Sequence, residues 1–554
     1  MQFLAASVMK KVLLTSVCRP LGEAYGDSPS VGYELLHGQV TRAQGMFSPR
    51  SLHTQFSLEY IAINLDAPTT VLQYPSREQL IRELKKGYDY VGIAFIMATF
   101  HIMEEMVELI RKHSPGTEII LGSYGTVLSD EVLKQYGDHI CREEGVAFMR
   151  RLLGEPEIQI PYTHPTVINP MKIFGKKVSQ SGMVFAGLGC ANGCDFCCTS
   201  HFFKRRHIRL LPSGKDIYNA VRRYHEIDPE MSIMIMDEDF LLNKRRAMEF
   251  RDCVVEGEKA ISVFCFASVR ALSRYTVTEV MEMGIDGMWI GYEGTRSGFD
   301  KQTGRPVAEV FTEFREHGIT ILASMILGFP YQTPEIMQEE LDGLLSLTPA
   351  FAQFLIYGPV PGTPFFKHVM ENNLFHGYVK EKPKEYYRRA TGFFSVVKHE
   401  QMTAAEIESI QRNCFDEDFR RLGPSIYRVV ETWLNGYLKW KDSDILVMRK
   451  KAQYFAKRLR RSYPAFLPGK LFGPTREVRR KIRDLQKRVH QELGKPTFSQ
   501  KFEAIGAIGT AAWSALALRA NLLQHPRLIR REHRMPRRDL IPPPKALIKP
   551  APSL

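Results

Sequence analysis

One short stretch of this 554-residue chain decides its fold: Gly189-Cys190-Ala191-Asn192-Gly193-Cys194-Asp195-Phe196-Cys197. It follows directly on an apolar, β-rich run that begins at Val184, which places the Cys-x3-Cys-x2-Cys spacing in a loop at the end of a strand. Iron–sulfur clusters normally take four cysteine ligands. Three thiolates from one loop therefore predict a cluster with one iron open to a substrate or cofactor, and its ligands are Cys190, Cys194 and Cys197.

Other interpretations of the three cysteines are a zinc site, a cluster used only for electron transfer, and a chance spacing. Zinc would need a fourth ligand, which Cys198 or His201 could supply. The cluster is favoured because this spacing, placed after the first strand of a barrel pattern, resembles the cluster-binding loop of one enzyme superfamily. Cys198 is interpreted as a packed thiol.

Strand and helix patterns alternate around this loop from Val184 to Ile356, which predicts six βα units. The strands are expected near Val184, Ile233, Val263, Met288, Thr320 and Ala352. Asn243 is a predicted helix N-cap, and Gly284 and Gly318 stand where C-terminal caps belong. A closed barrel has eight units, so we expect a barrel open on one side, with its chemistry in the loops at the C-terminal ends of the strands.

The later strand ends carry further motifs. In chain order these are Ile235-Met236-Asp237-Glu238-Asp239-Phe240, Phe266-Ala267-Ser268-Val269-Arg270, Gly291-Tyr292-Glu293-Gly294, Leu327-Gly328-Phe329-Pro330 and Pro359-Val360-Pro361-Gly362-Thr363-Pro364. With the cysteine spacing, this order resembles the radical S-adenosylmethionine (SAM) superfamily over residues 181 to 374. One departure is Gly294, where the family usually has serine.

The resemblance implies a 4Fe-4S cluster whose open iron binds SAM, and reductive cleavage of SAM to a 5′-deoxyadenosyl radical. It also implies which residues contact the cofactor. These are Phe196, Asp237, Ser268, Arg270 and Glu293. An electron donor of the flavodoxin or ferredoxin type is an expected partner.

The first 150 residues show a second α/β pattern. β-rich runs over residues 11–17, 70–74, 90–96 and 118–122 alternate with amphipathic stretches, such as a helix predicted from His101 to Lys112. This pattern is typical of an open, doubly wound parallel sheet of the Rossmann-like kind.

Residues 11 to 153 resemble the cobalamin-binding domain that precedes the barrel in one radical SAM branch. Matching stretches are Tyr88–Ile93, Glu118–Ser123 and Cys141–Gly145. Ligands of such folds lie at the C-terminal ends of the strands. The expected contacts are Gly122, Ser123, Gly125 and Thr126. The Asp-x-His-x-x-Gly motif of other cobalamin proteins is absent, and serine replaces the second glycine of the family's Gly-Gly, so a structural domain that has lost its ligand is the alternative.

Three regions are predicted along the chain. Residues 1–165 form the cobalamin-binding-type domain with a proline-rich linker, residues 166–374 form the partial barrel, and residues 375–554 form a helical, basic region. Within the last region, Arg527 to Arg538 and the proline-rich end are expected to be disordered.

Positive charge is concentrated at the C-terminal end. Residues 441–554 contain 27 Lys and Arg against 8 Asp and Glu, which gives this segment a net charge of +19. The whole chain has a formal net charge of +14, so the remainder carries −5. The small and apolar run from Ala504 to Leu518 is shorter than the about 20 residues of a membrane-spanning helix. It is interpreted as an interfacial helix, or as a helix buried against the barrel. Peripheral association with an anionic membrane is favoured, and nucleic acid is disfavoured because no recognition module is legible.

The composition, 44% hydrophobic and 25% charged residues, is that of a globular protein and excludes a multi-span membrane protein. Nine sparse cysteines and an N-terminus without secretory features predict a reducing, cytoplasmic location.

The leading hypothesis is an enzyme that methylates, or otherwise forms a bond at, an unactivated carbon of a small molecule or lipid, with cobalamin as a further cofactor. The alternatives are a cobalamin-independent radical SAM enzyme acting on a peptide, cofactor precursor or nucleic acid, and a noncatalytic iron–sulfur sensor or binding protein.

Overall fold

A computed structural model describes residues 9–21, 36–51, 54–294, 296–520 and 528–534. Its strands are β1 (Val12–Ser16), β2 (Arg50–Ser51), β3 (Thr69–Gln73), β4 (Tyr90–Ala94), β5 (Glu118–Gly122), β6 (His139–Ile140), β7 (Ile168–Ile173), β8 (Lys176–Phe185), β9 (Ser232–Met236), β10 (Val263–Ala267), β11 (Ile285–Glu293), β12 (Thr320–Leu327), β13 (Phe351–Ile356) and β14 (Ile529–His533).

The α-helices are α1 (Phe56–Ala62), α2 (Arg77–Leu84), α3 (Phe100–His113), α4 (Asp130–Leu133), α5 (Gly145–Leu153), α6 (Cys198–Phe202), α7 (Gly214–Ile227), α8 (Lys244–Glu256), α9 (Val269–Leu272), α10 (Val277–Glu282), α11 (Val307–Glu316), α12 (Pro334–Ser346), α13 (Pro364–Glu371), α14 (Gly377–Glu381), α15 (Pro383–Arg389), α16 (Ala404–Leu422), α17 (Ser425–Trp440), α18 (Leu446–Arg461), α19 (Phe466–Phe472), α20 (Arg476–Leu493) and α21 (Phe498–Arg519).

The N-terminal sheet has the strand order β14-β3-β1-β4-β5-β6. Strands β3, β1, β4, β5 and β6 are parallel, as the alternating pattern predicted. Strands β1 and β4 are buried along their whole length because apolar residues pack on both faces of the sheet. The C-terminal ends of β1, β4 and β5 therefore meet at one edge.

The second sheet is open and curled, with the order β13-β12-β11-β10-β9-β8-β7-β2. Strands β8 to β13 are parallel and contain all six of the expected strand positions. The edge strands β13 and β2 do not pair with each other, which matches the prediction of an open barrel. Asn243 caps α8 by accepting a hydrogen bond from the Arg246 backbone N–H at 3.2 Å.

An antiparallel hairpin precedes the barrel strands. The segment interpreted as a linker ends in β7, which pairs with β8, and Pro170 lies inside that strand. On the other side of β7, Arg50 and Ser51 of strand β2 pair with Lys172 and Met171.

Helices of the C-terminal region cover the N-terminal ends of the barrel strands. Trp440 on α17 donates from Nε1 to the carbonyl of His317 at 2.9 Å, just before β12 begins. Lys451 on α18 donates from Nζ to the carbonyl of Gly284 at 2.9 Å and to Asp286 at 2.8 Å, at the start of β11. The helical region thus closes the end of the barrel opposite the cysteine loop.

The prediction that the chain after residue 374 contains no strand, and that its tail is disordered, is wrong for residues 529–533. These residues form β14 because the edge of β3 offers unpaired backbone groups and acidic side chains near it. Arg527, Arg537, Arg538 and the proline-rich end lie outside the described residues. In the part of the chain that the structure describes, every helix is too short or too polar to cross a bilayer.

Candidate functional site

The cysteine loop leaves β8 and leads directly into α6. Ser200 organises it, since its Oγ donates to the carbonyl of Cys190 at 2.7 Å and accepts from the Gly193 N–H at 2.9 Å. The Cys197 N–H also donates to the carbonyl of Cys194 at 3.1 Å. The loop is therefore held by its own hydrogen bonds, with three partly exposed, unpaired cysteines on it.

The thiols of this loop lie in a poorly solvated environment. Burial raises the pKa of the Cys194 and Cys197 thiols, and that of Cys190 to about 12. Within the described ranges, no three His, Cys, Asp or Glu side chains are placed so that they could hold one metal ion together. His201, considered as a fourth zinc ligand, has its Nε2 atom 3.0 Å from the carbonyl oxygen of Cys194.

A hydrogen-bond network connects the cysteine loop to the ends of β9 and β10. Asn192 donates from Nδ2 to Asp239 Oδ2 at 2.9 Å, and Ser268 Oγ donates to the same oxygen at 2.7 Å. Arg270 donates to Asn192 Oδ1 at 2.5 Å. The structure thus brings the predicted residues Ser268 and Arg270 to the loop. Asn192 and Asp239 were assigned no role from the sequence, although both lie inside the quoted motifs.

Asp237 has a different environment from its neighbours. It is buried, forms an ion pair with Arg246, and lies 3.2 Å from His207 Nε2. Burial raises its pKa, but His207 and Arg246 outweigh burial and the pKa is lowered. Both carboxylate oxygens of Asp237 therefore face basic side chains of the protein. The neighbouring Glu238 has an exposed side chain. Because protein atoms around it displace much of the water, desolvation raises its pKa to about 7.

Glu293 ends β11 with a left-handed φ of 57°. One of its carboxylate oxygens accepts a hydrogen bond from Lys301, and the other, Oε2, is buried and has no hydrogen-bond partner among the described residues. The Lys301 ammonium lies 5.4 Å from the ring centre of Phe196. Burial disfavours its charge, but Glu293 and then Cys194 raise its pKa overall. A cation that the sequence did not single out therefore lies between Glu293 and the cysteine loop.

The departure from the family motif at Gly294 has a steric cause. Its φ is 122°, and a Cβ at this position would meet the Glu340 carboxylate oxygens at 2.9 Å. The usual serine does not fit unless Glu340 moves.

Phe196 attaches the cysteine loop to the far side of the barrel. Its ring centre lies 5.3 Å from that of Phe299 and 5.9 Å from that of Tyr357. The Tyr357 hydroxyl donates to Asp195 Oδ2 at 3.0 Å. The Phe365 N–H, just after the Pro-Gly-Thr-Pro motif, donates to the carbonyl of Asp195 at 3.1 Å.

The loop after β5 approaches α6 from the N-terminal sheet. Ser123 has a φ of 70°, a conformation that favours glycine, and its carbonyl accepts from Thr126 Oγ1 at 2.8 Å. A Cβ at Gly125 would meet the ring of Phe95 at 2.3 Å, whereas a Cβ at Gly122 would meet no atom within 4 Å. The loop is therefore closely packed at Gly125 and open at Gly122.

Tyr124, which the sequence did not single out, joins the two halves of the site. Its ring centre is 5.2 Å from that of Phe202 on α6. The C-terminal end of β5 in the N-terminal sheet therefore faces α6, the helix that follows the cysteine loop.

The fold is similar to that of the radical S-adenosylmethionine methyltransferase TsrM from Kitasatospora setae. With the TsrM structure that has cobalamin and a 4Fe-4S cluster bound, the TM-score is 0.55 at 13% identity, over 81% of this chain and 99% of TsrM. With the TsrM structure that has tryptophan substrate and the SAM analogue aza-SAM bound, the TM-score is 0.50 at 13% identity, over 66% and 76% of the two chains. This similarity supports the expected mixed α/β fold with an open, curled sheet and a helical C-terminal region.

Two curated relatives are methyltransferases. An uncharacterized methyltransferase of Pyrococcus horikoshii is 23% identical over 242 residues, which are 42% of this chain and 50% of the relative. The bacteriochlorophyllide d C-12(1)-methyltransferase of Chlorobaculum tepidum is 24% identical over 217 residues, which are 35% of this chain and 44% of the relative. The matches thus span about half the length of these relatives or less. No protein-family model matches the chain.

Proposed function

We propose that this chain is a radical SAM enzyme, a cobalamin-dependent methyltransferase that acts on an unactivated carbon. The observation that carries the proposal is the arrangement of the cysteine loop, which is hydrogen-bonded to two barrel strand ends and faces the open edge of a doubly wound sheet. The fold shared with TsrM and the similarity to two methyltransferases support it.

The residues present fit a 4Fe-4S cluster with SAM. A cluster binds each of three cysteines through a different iron, so Cys190, Cys194 and Cys197 need to share a loop without converging on one point. The buried, unpartnered Oε2 of Glu293 can accept a hydrogen bond from a SAM hydroxyl or amino group. We assign Ser268 and Arg270 to the same pocket, since both are linked to the loop through Asn192 and Asp239.

When bound, these groups supply the chemistry that side chains lack: one-electron reductive cleavage of SAM by the cluster, and methyl transfer by cobalamin. The contribution of the chain is to position these groups and to exclude water from the site. The Asn192–Asp239–Ser268 network fixes the cysteine loop against the barrel. Phe196, with Phe299 and Tyr357, covers one side of the loop with aromatic surface.

The loop after β5 fits a flat ligand. A Cβ at Gly122 would meet no atom of the described residues within 4 Å, and Ser123 has a left-handed φ of 70°, which favours glycine. We therefore assign cobalamin to the region 1–165 and the cluster with SAM to the region 166–374. The absent Asp-x-His-x-x-Gly motif means that this region supplies no histidine to cobalt through that motif.

The substrate in this proposal is a small molecule or lipid. TsrM is a methyltransferase with a small-molecule substrate, tryptophan, which supports the small-molecule class. The proposal retains a reducing, cytoplasmic setting with a flavodoxin- or ferredoxin-type electron donor.

The first test replaces one cluster ligand. Cys194→Ala should remove iron from anaerobically reconstituted protein and abolish cleavage of SAM to 5′-deoxyadenosine, because the loop would keep only two of the three thiolates assigned to the cluster. Cys198→Ala is the matched control, since this partly exposed neighbour is a packed thiol in our assignment and should retain both properties. Full SAM cleavage by Cys194→Ala would contradict the proposal.

The cobalamin assignment has its own test. Gly122→Leu should fold, because a Cβ there meets no atom within 4 Å, but its side chain would occupy the space assigned to the corrin. Cobalamin uptake, measured from the corrin absorbance of purified protein, should fall at least about tenfold. Gly116→Leu, equally unobstructed but at the other end of β5, should bind normally. If wild-type protein from corrin-supplemented cells takes up none, cobalamin-dependent methylation is excluded.

A further inference from the structure

Helix α21 carries its large apolar side chains on the outside. Phe498, Phe502, Ile505, Trp513 and Leu516 are between 53% and 76% exposed. They recur at steps of three, four and eight residues, which places them along one side of an α-helix. We call this surface the α21 face.

The opposite side of α21 is packed with small residues. Ala507, Ala511, Ser514 and Ala517 are buried, and Ala511 belongs to the core formed by the C-terminal helices. A surface helix ordinarily turns its large apolar residues inward. The α21 face is therefore not needed to hold the helix in place, and a contiguous exposed apolar surface of this kind marks an interaction site.

Basic residues border the α21 face. Lys501 and Arg519 are exposed on the helix itself. The tip of the β7–β8 hairpin lies beside it, because a Cβ at Gly175 would come within 3.2 Å of the Trp513 ring. Lys176 and Lys177, exposed at this tip, add two further positive charges.

The charge of the border decides between possible occupants. A second copy of this chain would bring an equally basic border against the first, and like charges at such a contact repel. Anionic lipid headgroups are complementary to it, and each basic residue near such a surface adds to the attraction. An apolar helix face with tryptophan and phenylalanine, bordered by lysine and arginine, is the pattern of a helix that lies in the membrane interface.

We propose that the α21 face docks this protein on an anionic lipid bilayer, with the helix in the interface plane. The surface is distant from the cysteine loop. Trp513 lies at the start of β8 and Cys190 follows its end, a separation of about 33 Å for ten residues at about 3.3 Å each. Docking therefore positions the protein at the membrane without inserting the cysteine loop into it.

The test is flotation of the full chain with vesicles of phosphatidylcholine, with and without phosphatidylserine. Binding should need phosphatidylserine and weaken with salt. The triple variant Phe498→Ser, Phe502→Ser, Ile505→Ser should bind at least about tenfold more weakly. Ile227→Ser with Met370→Ser is the matched control, because each residue is 55% exposed on α7 or α13, and it should bind as the wild type does.

Two further measurements separate the proposal from its rivals. The double variant Lys176→Glu, Lys177→Glu should lower binding to phosphatidylserine vesicles about tenfold. Trp513 fluorescence should be quenched by brominated lipid, with Trp513→Phe as the reference for the remaining tryptophans. Absence of flotation, or undiminished flotation of the triple variant, would overturn the proposal. So would a dimer in sedimentation that the triple variant dissociates, since a second copy would then cover this face.

Discussion

Lys301 shows how one side chain can determine the electrostatics of the site. Its side chain is only 17% exposed, and its ammonium pairs with Glu293. It lowers the pKa of the nearby Cys194 and Cys197 thiols against the larger effect of burial. When a cluster is bound, this buried cation beside the cysteine loop would stabilise negative charge on the cluster thiolates.

Replacing Lys301 with Met should therefore make the bound cluster harder to reduce. We expect a reduction potential lower by about 70–120 mV, from a unit charge acting over roughly 6–10 Å at an effective dielectric constant of about 20. Iron content should be unchanged, because the three cysteines remain. The measurement is a redox titration followed by electron paramagnetic resonance.

Lys301→Arg keeps the charge and should keep the potential within a third of that shift. Equal potentials for wild type and Lys301→Met would show that this ammonium does not act on the cluster.

At the scale of elements, β14 attaches residues 529–533 to the edge of the N-terminal sheet at β3. Arg530 donates to both carboxylate oxygens of Glu83 at 2.9 Å, and His533 Nε2 lies 2.8 Å from Glu59 Oε2. Burial raises the pKa of Glu83, but hydrogen bonds from Arg530, Lys86 and others outweigh it and lower the pKa to about 2. Part of the C-terminal positive charge is therefore used inside the fold.

Arg530→Ala should loosen β14 from β3. Loss of a bidentate bond to a buried carboxylate costs about 1–2 kcal/mol of local opening free energy, which corresponds to roughly tenfold faster amide exchange in residues 529–533. Hydrogen exchange with mass spectrometry measures this. Arg534→Ala is the control, since Arg534 is 77% exposed and, within the described part of the chain, forms its ion pair with Glu532 at 3.5 Å.

The stabilisation that Arg530→Ala removes should be lost only at acidic pH. The stabilisation requires ionised Glu83, so it is complete above the unfolded-state pKa of about 4.5 and is lost as the pH falls towards about 2. The excess exchange should therefore be the same at pH 6 and pH 8 after correction for the intrinsic rate. An equal effect of Arg534→Ala would remove the role given to Glu83.

At the scale of the whole molecule, the barrel lies between two other parts of the chain, the N-terminal sheet and the C-terminal helices. Its strand C-terminal ends face the N-terminal sheet, where Tyr124 approaches α6. Its N-terminal ends are closed by α17 and α18, where the fully buried Lys451 pairs with Asp286. A pair buried this deeply destabilises the fold when one partner is removed, so the helical region is part of the barrel's stability. The α21 face lies beyond that closed end, on the side away from the site.

Local patterns were sufficient to predict much of this molecule. The six barrel strands, the parallel N-terminal strands, the helix from His101 and the Asn243 cap all follow from periodicity and capping within a few residues. The cysteine spacing, Ser268, Arg270 and Glu293 also lie in short motifs, and the structure brings these residues to one end of the barrel. Strand β7, which contains a proline, was missed because its pairing is set by the neighbouring hairpin strand.

What only the tertiary structure decided are contacts between distant segments. Lys301 meets Glu293 because a loop folds back over a strand end, and Asp239 rather than Asp237 meets Asn192 because Arg246 and His207 already hold Asp237. Strand β14 pairs with β3 although about 450 residues separate them. The sequence alone determined the cysteine loop and the strands because their signals are local. It left these pairings open because a contact between distant residues depends on which surfaces the folded chain brings together, and no local period records that.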